Sequence, residues 1–175
     1  MPICYIAVGS NIDPLQNIRK ALRLMTRQEK VLASSRFYRT PPIDRPEQDD
    51  YRNGVWQIES DKSPREIKYE ILRRIESKLG RQRSADKYAA REIDLDLILY
   101  GNEIIREQGL DIPDPDIRKR LFIAIPLAEL DPELVLPDSG EKLRDLCRAM
   151  NREDMEVDAA LTDALANMLK EEGAS

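Results

Sequence analysis

At 175 residues, with 35% charged and 41% hydrophobic positions, the chain has the composition of a globular domain able to bury a core of its own. Its net charge of −5 argues against a nucleic-acid surface, although a locally basic loop in an acidic protein can still gather phosphates. The absence of histidine excludes Ser-His and Cys-His nucleophiles, His-ligated metals and an imidazole base near neutral pH, leaving carboxylates, cations and bound metal to carry any chemistry.

In chain order, residues 3 to 8 predict a short strand. Asp13 is placed to cap the helix that follows, with Pro14 in its first turn and Leu15, Ile18, Leu22 and Met25 as its apolar stripe. A second strand is expected over about 30 to 38, stopped by Thr40-Pro41-Pro42, and the polar stretch through Asp50 reads as a mobile loop. A third strand is predicted near Gly54 to Glu59, with Trp56 in the core. Ser63-Pro64-Arg65-Glu66 has the spacing of a capping box; it starts a helix with Ile67, Ile71, Ile75 and Leu79 on one side, which Gly80 ends. Beyond an arginine-bearing loop lies the strand-like run Ile93 to Tyr100. Ile117 to Leu130 and Glu141 to Met150 read as helices, and Val157, Leu161, Leu165 and Met168 fall at helical spacing after a candidate cap at Asn151.

Strand, helix, strand, strand, helix, strand is the order of a ferredoxin-like α+β sandwich, in which helices cover one face of an antiparallel sheet. No repeat or linker divides the chain, so residues 1–150 are expected to form one domain and 151–175 a C-terminal helical extension of it. The apolar stripe of that extension faces either its own domain or a second copy, which leaves a monomer or a weak homodimer. Cys4 and Cys147 lack disulfide or zinc spacing and suit reduced thiols in a cytoplasm. Met1 to Val8 does not read as a secretory signal, and no later stretch reaches the length of a membrane span.

Asp94 and Asp96 are the chemical anomaly, two carboxylates in an otherwise apolar strand. Strand alternation puts them on one face, about 7 Å apart, with Ile93, Leu95, Leu97 and Leu99 toward the core. Such a pair suits Mg2+ held jointly with substrate phosphates. The same pair could instead be ion-paired to Arg81, Arg83, Lys87 or Arg91 just upstream.

Arg81-x-Arg83, Lys87, Tyr88 and Arg91-x-x-Asp94-Leu95-Asp96 together resemble the signature of hydroxymethyldihydropterin pyrophosphokinases, enzymes of the folate pathway. The resemblance also takes in Tyr5 to Asn11, Phe37 to Pro42, Tyr51-x-Asn53, Glu76 and Arg120-x-Phe122, in family order, over about residues 3 to 146. It implies a ferredoxin-like fold and a one-step transfer of pyrophosphate from ATP to the hydroxymethyl group of a reduced pterin, with AMP released. It further implies two Mg2+ ions on Asp94 and Asp96, and charge stabilisation by Arg81 and Arg91. Glu76, Arg83, Tyr88, Leu97, Asp114 and Arg120 are the implied ATP contacts, with Arg83 on a lid. Thr40, Pro42, Ile43, Tyr51, Asn53 and Phe122 are the implied pterin pocket; Tyr51 and Phe122 can sandwich a flat ring, and Asn53 offers a donor and an acceptor to its aminopyrimidine edge. The Gly9-Ser10-Asn11 turn supports neighbouring loops rather than substrate. ATP and the pterin are the expected partners, with no nucleic acid and no membrane.

Three departures fall on the nucleotide side. Asp114 stands where the family usually has a histidine after Ile112-Pro113, which weakens ATP binding unless metal or Arg118 compensates. Tyr88 replaces a common tryptophan, and Ala89-Ala90 a common Gly-Pro. Two other readings therefore stand beside the enzyme: a pterin- or nucleotide-binding relative with reduced or lost catalysis, and a ferredoxin-like interaction domain whose aspartates are merely ion-paired.

Overall fold

The computed structural model describes residues 1–151 and 154–173. Its elements are β1 (Ile3–Ser10), α1 (Pro14–Thr26), β2 (Lys30–Ser34), β3 (Tyr38–Thr40), β4 (Tyr51–Glu59), α2 (Pro64–Glu66), a π-helical stretch (Ile67–Leu72), α3 (Arg73–Lys78) and β5 (Asp94–Tyr100). A small hairpin follows, β6 (Ile105–Glu107) and β7 (Leu110–Ile112), then a 3-10 turn (Pro115–Arg118), α4 (Leu121–Leu130), α5 (Leu143–Ala149), β8 (Glu156–Val157) and α6 (Ala159–Gly173).

The main sheet runs β5-β1-β4-β3-β8, with β2 also paired to β4. The pairs β1–β4, β1–β5, β2–β4 and β3–β4 are all antiparallel, which gives the α+β sandwich expected from the element order. Helices cover both faces rather than one. Ile6, Val8, Ile58, Leu95 and Leu97 bury one face with Ile18, Leu22, Ile71 and Leu165 from the helices. Tyr5, Val55, Ile98 and Leu99 bury the other with Ala124, Leu127 and Leu143 of α4 and α5. No helix among the described residues is long and apolar enough to cross a membrane.

Several local expectations are corrected. Asp13 sits at φ 41° and makes no side-chain cap; its carbonyl accepts from Asn17 N at 2.9 Å, and Leu15 of the predicted stripe is 46% exposed. The single strand expected over 30 to 38 is broken into β2 and β3. Ser35 leaves the ladder to bond Val55 through both its amide and its hydroxyl, and Phe37 then drops onto Gly54, where a Cβ would lie 2.5 Å from the ring. Ser63 and Glu66 do form the capping box, and Gly80 closes the helix at φ 90°. The helix expected over Ile117 to Leu130 is interrupted at Lys119 and Arg120, between the 3-10 turn and α4. Asn151 is not the cap of α6: Asp158 is, accepting from Leu161 N at 3.0 Å, while Val157 lies in β8 instead of on the helix. Leu161, Leu165 and Met168 join the main core against α1 and β2. Of the predicted 151–175 segment, residues 152, 153, 174 and 175 lie outside the described residues.

Strand alternation in β5 fails at one point. Tyr5 pairs with Leu99 but Ile6 pairs with Leu97, so Ile98 is an extra residue in the ladder. The bulge turns Leu99 toward α4 and α5, away from the face that holds Leu95 and Leu97. Asp94 and Asp96 lie before the bulge and keep the predicted alternation.

Candidate active site

A cavity of about 400 Å³ opens where β1, β4 and β5 meet the start of α4. Asp94 and Asp96 of β5 line it, opposite the core-facing Leu95 and Leu97. Thr40, Pro42, Ile43, Tyr51, Asn53, Tyr88, Arg91, Arg120 and Phe122 line it too, so residues spread over 83 positions of sequence converge on one space. Gln48, Lys87, Asp116 and Lys119 also reach the wall, and the motif reading did not single them out as contacts. They are polar residues on loops, or in the 3-10 turn in the case of Asp116, and a single sequence carries no signal for which of them turn inward.

On one side, Asn53 donates from Nδ2 to Thr40 Oγ1 at 2.8 Å. Its Oδ1 lies 2.7 Å from where a Cβ on Gly9 would stand, so glycine there lets the amide pass close to β1. Tyr51 donates its hydroxyl to Ala89 O at 3.4 Å, and burial pushes its pKa up. These side chains come from paired strands, and their positions are set by the sheet.

Behind Asp94 and Arg91 lies a charge network, whose Glu76, Arg81 and Arg83 do not themselves line the cavity. Glu76 is 2% exposed, not a solvent-facing helix carboxylate, and it accepts from Arg81, from Arg83 at 2.9 Å and from Leu95 N at 2.9 Å. Arg81 Nη1 also donates to Asp94 Oδ1 at 2.5 Å, and Arg91 pairs with Asp94 Oδ2. Burial opposes the charge on Arg81, but the Asp94 and Glu76 carboxylates more than offset it and raise its pKa. Asp94 is thus neutralised by two guanidiniums. Asp96, by contrast, has no ion pair among the described residues, and burial with Asp94 and Asp114 nearby pushes its pKa up to about 7. The ion-paired reading fits Asp94 and fails at Asp96.

Asp94 and Asp96 form no cluster of three or more acidic, histidine or cysteine ligands among the described residues. Two carboxylates on one strand face are too few for an all-protein cage and fit a hard cation completed by phosphates and water. Leu97 is buried in the core, so its side chain does not reach the cavity. Asp114 does not line it either: its carboxylate accepts from Asp116 N at 2.8 Å, capping the 3-10 turn. Burial raises the Asp114 pKa. Arg118 is paired with Asp138 at 2.7 Å and Glu141 at 3.3 Å.

The loops over the cavity are tied together by Asn11, which is buried. Its Oδ1 accepts from Arg91 N at 2.7 Å, and its Nδ2 donates to Gln48 Oε1 at 3.1 Å and Asp49 O at 3.3 Å. Ser10 donates to Glu92 O at 2.6 Å. The turn supports neighbouring loops, as expected. Gln48 Nε2 to Tyr88 O at 2.9 Å and Arg45 to Asp86 at 2.6 Å join the two loops directly.

Comparison with known proteins shows the family. Residues 5–132 match the family model described as 7,8-dihydro-6-hydroxymethylpterin-pyrophosphokinase (HPPK). The 2-amino-4-hydroxy-6-hydroxymethyldihydropteridine pyrophosphokinase of Haemophilus influenzae is 39% identical over 142 residues, covering 79% of this chain and 88% of that protein. Its counterpart in Pseudomonas aeruginosa is 32% identical over 155 residues, 87% of this chain and 94% of the relative. A crystal structure of a mutant Plasmodium falciparum HPPK-DHPS superposes with a TM-score of 0.67 at 13% identity, over 84% of this chain and 44% of that longer one, which shows a shared fold. With a family match over most of its length and relatives 39% and 32% identical over nearly their whole length, the chain belongs to the 7,8-dihydro-6-hydroxymethylpterin-pyrophosphokinase family.

Proposed function

We propose that this cavity transfers pyrophosphate from ATP to 6-hydroxymethyl-7,8-dihydropterin, the folate-biosynthesis reaction of the relatives. The hydroxymethyl oxygen bonds to the β-phosphorus, the bond from that phosphorus to the α–β bridging oxygen breaks, the hydroxyl proton is lost, and AMP leaves. The observation that supports it best is the joining, in one cavity, of an aromatic and amide slot with a carboxylate pair of which one member has no ion pair among the described residues.

In this reading Tyr51 and Phe122 stack on the pterin, Asn53 bonds its aminopyrimidine edge, and Thr40, Pro42 and Ile43 close the slot. Asp94 and Asp96 would hold two Mg2+ ions, whose chemistry there is to neutralise the triphosphate and lower the hydroxyl pKa. Arg81 and Arg91 release Asp94 to turn toward the transferred group, where planar guanidiniums stabilise spreading charge. Glu76 holds Arg81 and Arg83 ready, and Arg83, Tyr88 and Arg120 receive the nucleotide. Leu97 contributes at most its backbone, and Asp114 shapes the 3-10 turn before Lys119 and Arg120. No side chain has to act as a strong base, consistent with a chain that has no histidine.

The same reading takes residues 1–150 and 151–175 as one domain, working as a monomer or weak homodimer in the cytoplasm, without nucleic acid or membrane. The burial of Leu161, Leu165 and Met168 in the common core supports the single domain. The test is incubation with ATP, Mg2+ and the dihydropterin, followed by mass identification of products. AMP with diphosphorylated pterin is expected; pterin binding without AMP would favour a relative that has lost catalysis.

A further inference from the structure

We propose that Asp158 is a positioning residue for the pterin side of the cavity, acting through Arg52 and β3, an inference that rests on the reading of the cavity given above. β3 has three residues, delivers Thr40 to the cavity and leads into Pro41, Pro42 and Ile43. So short a strand cannot hold its place through one ladder, and its outer edge would be open without a partner. The partner comes from beyond the matched residues 5–132: β8 pairs Val157 with Tyr38 and Glu156 with Arg39.

The attachments converge just upstream of Thr40. Both backbone groups of Phe37 are taken by the C-terminal segment, its carbonyl accepting from Asp158 N at 2.8 Å and its amide donating to Thr162 Oγ1 at 3.0 Å. Arg39 pairs with Glu156 across the same ladder. The Asp158 carboxylate then does two things at once. Oδ1 caps α6 through Leu161 N at 3.0 Å, and Oδ2 accepts from Arg52 Nε at 2.7 Å.

Arg52 lies between Tyr51 and Asn53, the β4 residues that line the cavity, and by strand alternation it points to the opposite face. Its pairing with Asp158 is largely withdrawn from water, with side-chain exposures of 19% and 14%, so it is less screened than a surface pair. α6 is itself anchored by Leu161, Leu165 and Met168 in the core. A fixed helix end is therefore tied by one carboxylate to the residue flanked by the ring-stacking tyrosine and the ring-reading amide. Arg52 and β3 are held from behind while Tyr51, Asn53 and Thr40 present their faces to the cavity.

Asp158→Asn separates this role from folding, because asparagine caps helices about as well as aspartate but brings no charge to Arg52. In steady-state assays on the full chain, Asp158→Asn should raise KM for the dihydropterin roughly three- to tenfold, with kcat and KM for ATP changing less than about twofold. Arg52→Gln should reproduce that shift, and the double variant should be no worse than either single one. An unchanged pterin KM in an active Asp158→Asn protein, a parallel rise in both KM values, or additive effects in the double variant would each overturn the positioning role alone. A wild-type protein that yields no pterin-dependent AMP would overturn the reading of the cavity, and this proposal with it.

Discussion

The two walls of the cavity are built differently. The wall proposed for the pterin is neutral and finished: Asn53 is already bonded to Thr40, and Tyr51 already reaches the Ala89 carbonyl. The wall proposed for the nucleotide is charged: Arg91, Asp94 and Asp96 line it, Asp94 is paired with Arg91 and, behind the lining, with Arg81, which Glu76 holds together with Arg83, and Asp96 is without an ion pair among the described residues. Sheet registry places the first set; electrostatic balance places the second. A neutral ring can enter a preformed slot at little reorganisation cost, whereas triphosphate and cation must exchange one set of ion pairs for another. The pterin wall should therefore respond to changes in shape, and the nucleotide wall to changes in charge.

The largest effect should come from Asp96→Asn. Removing the unpaired carboxylate should lower kcat/KM by about 10³-fold or more, the scale of losing a preorganised charge contact in phosphoryl transfer, while pterin affinity measured by calorimetry without nucleotide stays within twofold. A comparable loss of pterin affinity would show that the walls are not separable. Asn53→Ala should act in the opposite sense, raising the pterin KM roughly ten- to hundredfold with a smaller change in the ATP KM, because it removes hydrogen bonds to a buried polar edge. Gly9→Ala probes the rigidity of the same wall. An added Cβ would stand 2.7 Å from Asn53 Oδ1, so the amide must shift, and a rise in pterin KM of roughly three- to tenfold is expected. If pterin binding by that variant is unchanged, the slot is softer than its strand registry implies.

What could be read from the residues follows the same division. The element order fixed the α+β class, because the apolar periodicities of α1, β4 and β5 are strong and each is bounded by a breaker. The gathering of Thr40, Tyr51, Asn53, Asp94, Asp96 and Phe122 followed from family spacing alone. Features decided by long-range partners were not legible. The break at Ser35 depends on Val55, the burial of Glu76 depends on Arg81 and Leu95, and the extra residue at Ile98 depends on β1. Asn11 looked like a turn residue and proves to be the joint between two loops, which only its bonds to Gln48, Asp49 and Arg91 reveal. Asp114 read as an intruding anion beside phosphates; its second role, capping the 3-10 turn through Asp116 N while still acting on Asp96, depends on spatial neighbours.

The smallest effect, and the one that bears most directly on the difference between the walls, is in stability against pH. The Asp96 carboxyl is pushed up to about 7 from an ordinary 3.8 by burial and by its neighbours Asp94 and Asp114. The folded state therefore holds that proton more tightly than the unfolded chain does, so its contribution to stability is present below pH 4 and is lost as pH rises toward and through 7. A bound cation reverses the preference by favouring the ionised form. With a chelator present, the wild type should lose more melting temperature between pH 5.5 and 8 than Asp96→Asn does, and added Mg2+ should stabilise the wild type more at pH 8 than at pH 5.5. The comparison between the two proteins isolates this carboxyl from every other group that titrates in the range. Equal slopes for both would mean that Asp96 is already satisfied without a cation, and the nucleotide wall would then be as complete as the pterin wall.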